Sequence, residues 1–156
     1  VDGNYTRFNQ LYRDPTAFIA LVYDPTSDYF HVVDEYLKAE ATTDLHAAAI
    51  GDIVTKWAID PIFIDSAAPQ FASDLAYLYD IPTIKAKKDI LPGVAYVQNL
   101  IEQGRLKVAP HCVHTLAMLD QYAWDPKEGL QKEKPKHDQY SHMADALRYA
   151  LYTYTI

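Results

Sequence analysis

Short apolar runs alternate with longer segments of helical periodicity, and this order constrains the fold more than any other feature of the chain. Residues 17–23 and 29–36 read as strands, and the turn residues 24–28 between them predict an antiparallel hairpin. Three later apolar runs are separated by helical segments, so we expect them to enter the sheet through helical crossovers. The sequence therefore predicts an α/β fold with a mixed β-sheet flanked by helices. The later runs are 61–64, 81–86 and 106–109.

Helix boundaries are marked by capping and turn residues. Thr42 or Thr43 is expected to cap a helix that runs to about Trp57, and Asp89 to cap one that stops at Gly104. Further helices are predicted from Pro69, over 112–123 and over 140–154. The residues expected to face the core on three of these helices are Phe71, Leu75 and Leu78; Val94, Val97 and Ile101; and Met143, Leu147, Ala150 and Tyr154.

Length and composition fit one compact domain spanning 1–156. The chain is 49% hydrophobic and 22% charged, which is typical of a soluble globular protein. No apolar run is long enough to cross a bilayer, so no membrane partner is expected. Cys112 is the single cysteine, which excludes an internal disulfide and suits a reducing compartment. We expect it to be a small buried apolar residue.

The formal net charge of −7 argues against a protein that holds nucleic acid by charge alone, because neutralising phosphates requires Lys and Arg. It does not exclude a nuclease. A carboxylate cluster that binds divalent cations makes its own site acidic, and the bound ions then invert the local field.

Three aspartates stand out by their settings. Asp2 follows an apolar strand remnant, Asp65 ends the run Ile62–Ile64, and Asp145 lies inside the last predicted helix. Sites of open α/β sheets gather at the carboxyl ends of strands, where two strand-end aspartates would lie side by side. A carboxylate from a helix packed on the sheet would complete an oxygen-ligand set for Mg²⁺ or Mn²⁺.

Each of these aspartates also has a purely structural interpretation. Sequence alone favours Asp2 as a frayed terminal residue, and Asp65 is equally the cap of the following helix. Asp145 is equally an exposed residue or the partner of Arg148 three positions later. Spacing alone therefore predicts an α/β domain and does not decide whether these aspartates form an acidic site.

Several segments, in order over nearly the whole chain, resemble the nuclease domain of tailed-phage terminase large subunits. That resemblance implies a ribonuclease H-like fold. The segments taken together, in this order, are more specific to that family than any single segment. The segments are Asp14–Phe18, Val33–Tyr36, Phe63–Pro69, Lys85–Gly93, Gly104–Leu106, Tyr122–Asp125 and His137–Tyr149.

By matching position, the resemblance implies that Asp2, Asp65 and Asp145 bind two Mg²⁺ or Mn²⁺ ions and carry catalysis. His142 falls where the family often has a histidine near the metals, and Asp14 is an accessory acidic candidate. The implied reaction is hydrolysis of DNA phosphodiesters by two-metal catalysis, with no side-chain nucleophile. The implied function is cleavage of concatemeric double-stranded viral DNA during genome packaging.

The resemblance also implies partners. DNA contact is expected from Lys85, Lys87, Lys88 and Arg105. The lysine run at 132–136 is interrupted by Glu133 and is equally well explained as a solvated surface. No Gly-x-x-x-x-Gly-Lys-Ser/Thr phosphate loop is present, so we expect the family's ATPase motor domain to be absent from this chain. The small terminase subunit and the portal of the procapsid would be further partners, in the host cytoplasm.

Two other functions fit the same residues. The chain is alternatively another ribonuclease H-like nuclease, such as a Holliday-junction resolvase or a transposase-like enzyme. It is alternatively an inactive module that docks on DNA or on a protein. Metal binding without cleavage would favour the inactive module, and cleavage of four-way rather than linear DNA would favour the resolvase.

Overall fold

A computed structural model describes residues 16–121 and 139–155 of the chain. Asp2, Asp14 and the lysine run at 132–136 lie outside the described residues. The elements, in chain order, are β1 (Thr16–Asp24), β2 (Tyr29–Lys38), α1 (Thr43–Trp57), β3 (Phe63–Ile64), α2 (Pro69–Tyr79), β4 (Ile84–Lys85), α3 (Ile90–Glu102), β5 (Leu106–Val108), α4 (Val113–Gln121) and α5 (Gln139–Thr155).

The strands pair in both directions, as the sequence predicts. β1 and β2 form the expected antiparallel hairpin, and β5 joins β2 in parallel. β3 and β4 pair in parallel with each other. The mixed α/β fold is therefore confirmed. Among the described residues, the hydrogen-bonded strands form two groups, in the orders β1-β2-β5 and β3-β4.

The first strand separates two hydrophobic cores. Ala17 and Ile19 pack on one face of β1 with residues of α3, α4 and α5. Phe18 and Ala20 pack on the other face with residues of α1 and α2. Because side chains alternate between the faces of a strand, an unbroken apolar run is what a strand buried on both faces requires.

A β-bulge interrupts the hairpin between Ala20 and Leu21, where Val33 is the additional residue on β2. Just past the bulge, the Glu35 carboxylate accepts hydrogen bonds of 2.7 Å from the backbone N–H groups of His114 and Thr115. Glu35 thereby satisfies donors at the beginning of α4, as a capping carboxylate does. The neighbouring Asp34 accepts a hydrogen bond from the indole of Trp57, at the end of α1.

Most of the helix signals are confirmed. The Thr42 hydroxyl accepts from Leu45 N at 3.3 Å, and Pro69 occupies the first turn of α2. The predicted inward positions are wrong at three helix ends. Leu78 is 69% exposed, Ile101 is 37% exposed with Leu100 buried in its place, and Tyr154 is 50% exposed. In two of these last turns the adjacent residue packs on the core instead, Tyr79 beside Leu78 and Leu100 beside Ile101. Tyr154 contacts the rings of Tyr23 and Phe30, and half of its surface stays exposed.

Cys112 is fully buried, as predicted, and its burial raises the pKa of the thiol to about 11. Such a thiol stays protonated and unreactive at neutral pH. Among the described helices none has the length and apolar character needed to span a membrane.

The structure predicts a pH-dependent stability that originates at His46. This histidine is fully buried on α1, its Nδ1 lies 2.8 Å from the Tyr36 hydroxyl, and burial lowers its pKa from 6.5 to about 4. The unfolded chain therefore binds a proton between these values that the folded chain does not. Stability is present above pH 6.5 and falls towards pH 4. We expect His46 alone to remove about 2 kcal/mol of unfolding free energy between pH 7 and pH 5.

Urea denaturation of the parent chain and of His46→Asn at both pH values measures this effect. Asparagine keeps a polar atom near Tyr36 and does not titrate, so the variant is expected to lose that part of the pH dependence. An identical pH dependence in the two proteins would refute the assignment.

Candidate metal centre

Asp65 lies at the carboxyl end of β3 and is 7% exposed. Its Oδ1 accepts a hydrogen bond from Ala67 N at 2.9 Å and lies 2.7 Å from the Lys88 ammonium. The alternative interpretation, in which the Asp65 side chain caps the following helix, is wrong. The N-cap residue of α2 is Ala68, which has no side-chain cap, and Asp65 holds the turn that precedes it. The carboxylate is thus fixed by the strand behind it and the turn ahead of it.

Asp145 is brought to the same region by α5. One helical turn further along, Tyr149 packs with Phe63 of β3 and Ala86 after β4 in a small cluster of its own. Asp145 shares that helix face, because residues four apart lie above one another. His142 precedes Asp145 by three residues and is buried. The side of α5 that covers the β3–β4 sheet therefore carries both of its predicted site residues.

Arg148 connects Asp145 to the segment after β4. Its guanidinium donates to the carbonyls of Lys88 at 3.1 Å and Asp89 at 3.4 Å, and to Asp145 Oδ1 at 3.2 Å. The predicted pair of Asp145 with Arg148 is therefore confirmed, but it is one part of a larger network. Lys88 itself contacts Asp65, so both carboxylates are connected to the Lys88–Asp89 segment, Asp65 directly and Asp145 through Arg148.

Gly93 of α3 provides the space for Arg148. A Cβ at this position would lie 3.0 Å from both Cγ and Cδ of Arg148, which is closer than carbon atoms normally approach. The arginine side chain is 5% exposed, so it has little room to withdraw. Glycine at position 93 thus allows the Arg148 stem to pack closely against α3.

The described residues supply two of the three predicted metal-binding carboxylates. Within 16–121 and 139–155, no group of three or more His, Cys, Asp or Glu side chains is arranged to hold a metal ion. The first predicted ligand, Asp2, and the accessory Asp14 lie outside these ranges. Their roles stay predictions.

The basic residues predicted to contact DNA fall in two places. Lys85, Lys87 and Lys88 are exposed and lie around the end of β4, and Lys88 contacts Asp65. Arg105 precedes β5, and its guanidinium binds Asp28 in the hairpin turn, with Nη2 3.0 Å from Oδ2.

A cleft opens between β1 and the segment that leads into β3. It is lined by Ile19, Leu21, Val22, Tyr23, Phe30, Trp57, Ala58, Ile59, Asp60, Pro61, Phe63, Ala150, Leu151 and Tyr154. The carboxyl end of β1 therefore faces the amino end of β3. Asp65 and Asp145 do not line this cleft, so its position does not mark the carboxylate site.

Sequence reasoning misses two parts of this site. It predicts that Lys88 contacts DNA but does not anticipate its contact with Asp65, and it predicts Arg148 only as the partner of Asp145. The available signal is Arg148 itself, which lies between the inward-facing Leu147 and Tyr149. A buried arginine requires partners for its donors, and one carboxylate does not satisfy all five.

Residues 8–153 match the model of a protein family described as the terminase RNaseH-like domain. This chain belongs to that family. A terminase large subunit from Escherichia phage T5 is 45% identical over 145 residues, which are 91% of this chain and 33% of the T5 protein. This terminase domain therefore spans about one third of that relative's length.

Solved structures share the fold of this terminase domain. The large terminase of a thermophilic bacteriophage, in complex with ATP-γ-S, superposes with a TM-score of 0.73 at 22% identity, covering 92% of this chain and 38% of that one. The g2p nuclease domain of bacteriophage SPP1, with bound Mn, gives 0.69 at 22%, covering 97% and 82%. The P22 large terminase nuclease domain gives 0.66 at 21%, covering 92% and 76%. The predicted ribonuclease H-like fold is confirmed.

Two glycines provide a matched test of the Arg148 packing. Gly93→Ala is expected to destabilise the domain by about 1–3 kcal/mol, because the new methyl group displaces the arginine stem and strains its hydrogen bonds, which outweighs the gain in helix propensity. Gly51→Ala, within α1, is expected to stabilise it by roughly 0.5–1 kcal/mol through higher helix propensity. At position 51 the Cβ would meet Ile81 Cδ1 at 3.7 Å, an ordinary contact.

Denaturant midpoints of the two variants and the parent chain measure these changes. Equal stabilisation by both alanines would show that Arg148 does not depend on the space at Gly93.

Proposed function

We propose that this chain is a metal-dependent DNA endonuclease domain that cleaves concatemeric double-stranded viral DNA during genome packaging. The observation that carries the proposal is that Asp65 and Asp145, distant in sequence, are both connected to the Lys88–Asp89 segment beyond the ends of β3 and β4. Membership of the terminase RNaseH-like family supports it. So does the Mn bound in the SPP1 nuclease domain, which has the same fold.

The donor set fits a hard divalent cation. Both ligands are carboxylates, the preferred donors of Mg²⁺ and Mn²⁺. Within the described ranges, the contacts of Asp65 and of Asp145 all fall on Oδ1. Each Oδ2 is then left for an ion, and we propose Asp2 as the third ligand of a two-ion site.

Bound ions would supply an activated water and stabilise charge on the leaving oxygen. The residues of this chain hold and orient the reactants. Asp65 and Asp145 are fixed by Ala67 N and by Arg148, so their oxygens need little rearrangement to bind. His142, one turn from Asp145, is proposed to orient a water molecule or a phosphate oxygen. Asp14 is proposed as an accessory acid.

Three exposed lysines lie around the end of β4, and one of them, Lys88, contacts Asp65. We propose that Lys85, Lys87 and Lys88 contact the DNA backbone, which positions the duplex without reading its sequence. Arg105, whose guanidinium is bound to Asp28, is proposed as a further contact to the backbone.

The wider assembly is proposed from the family. This chain would act as a single nuclease domain whose ATPase motor lies elsewhere in the full-length protein, consistent with its spanning 33% of the T5 relative. Double-stranded DNA, the small terminase subunit and the portal of the procapsid are the proposed partners, in the host cytoplasm.

Plasmid cleavage tests the proposal. The parent chain is expected to degrade plasmid with Mn²⁺ or Mg²⁺ and to leave it intact with EDTA. Asp65→Asn and Asp145→Asn preserve shape and hydrogen bonding but remove the charge, and each should reduce the rate roughly 100-fold or more, the scale of losing one electrostatic group at a reacting centre. Asp52→Asn, on the exposed side of α1, is the matched control and should cut like the parent.

Circular dichroism of each variant establishes that the fold persists. Full activity of either site variant would remove the assignment. Mn²⁺ binding without cleavage would favour an inactive docking module, and preference for a four-way junction over linear DNA would favour a resolvase.

A further inference from the structure

Lys88 neutralises Asp65. The carboxylate is 9% exposed as a side chain, and the Lys88 ammonium lies 2.7 Å from its Oδ1. A largely buried carboxylate without a nearby positive charge is costly, because burial removes its hydration. The ammonium therefore stabilises Asp65 in the position where a divalent cation would bind.

Arg148 balances Asp145 differently, because it is held in place. Three acceptors bind its guanidinium, its stem packs against Gly93, and its side chain is 5% exposed. Lys88 is 39% exposed at the side chain, and its ammonium is held by a single carboxylate oxygen. Of the two cations at this site, Lys88 is thus the one that can leave without disturbing the core.

We propose that Lys88 is a resident counter-ion of the metal site, which a divalent cation displaces from Asp65 when it binds. This inference rests on the proposed function, since it requires Asp65 to be a metal ligand. An ammonium and a divalent cation on the same carboxylate repel one another, so each weakens the binding of the other.

Displacement couples ion binding to DNA binding. A divalent cation on Asp65 repels the Lys88 ammonium, whereas a DNA phosphate attracts it. A phosphate that draws Lys88 from Asp65 therefore strengthens ion binding there, and by linkage the bound ion strengthens the contact of Lys88 with the phosphate. Lys88 thus weakens ion binding in the absence of DNA.

Calorimetric titration with Mn²⁺ alone, without DNA, tests the counter-ion role in the whole chain. Lys88→Met keeps the aliphatic stem and removes the charge, and is expected to lower the Kd for Mn²⁺ about tenfold, within the usual range of coupling between sites. Lys87→Met removes the same charge one residue earlier without touching Asp65. Its Kd should stay within about twofold of the parent value, since exposed charges couple weakly.

Thermal unfolding gives a second readout. In EDTA, Lys88→Met is expected to lower the Tm by several degrees more than Lys87→Met, because Asp65 loses its counter-charge. Saturating Mn²⁺ should restore the Tm of Lys88→Met towards that of the parent. If Lys88→Met does not fold, Lys88→Gln is measured in its place.

Asp65→Asn separates failure of this inference from failure of the proposed function. If Asp65→Asn abolishes Mn²⁺ binding but Lys88→Met leaves the Kd unchanged or weaker, the counter-ion role is overturned and the metal site stands. If Asp65→Asn binds Mn²⁺ like the parent, Asp65 is not a ligand, and both proposals fall.

Discussion

The buried guanidinium of Arg148 is the interaction on which the carboxylate site depends. Backbone carbonyls after β4 and a carboxylate on α5 share one cation, so the position of the last helix is fixed against a turn distant from it in sequence. A buried arginine that lost any of these acceptors would leave an unsatisfied donor in a poorly hydrated place. The site is therefore assembled by the same contacts that attach α5 to the β3–β4 sheet.

The fold and half of the site follow from local signals in the sequence. Asp65 is placed correctly because an apolar run followed by small residues defines a strand end, whatever the rest of the chain does. Thr42 and Pro69 likewise act on their own helices. Such features need no knowledge of distant residues, and they could be predicted for that reason.

The remainder depends on contacts between distant segments, which have no local pattern. Nothing near Lys88 in sequence indicates that its ammonium meets Asp65 or that its carbonyl meets Arg148. The exposure of Leu78 and Ile101 also depends on distant segments. In each of these last helical turns the adjacent residue packs on the core instead, Tyr79 in α2 and Leu100 in α3. A helical pattern gives the approximate direction of the buried face, and packing against other elements decides which of two adjacent residues is covered.

The bulge in the hairpin reverses the alternation of side chains between the two faces of β2. Before it, Phe30 and Val32 belong to the core beneath α3–α5; beyond it, that side is taken by Leu37, while Tyr36 belongs to the opposite core. Even and odd positions thus exchange faces at Val33, which lets Glu35 reach α4 while Asp34 reaches Trp57. Loss of one residue here would therefore turn every later side chain of the strand towards the wrong layer.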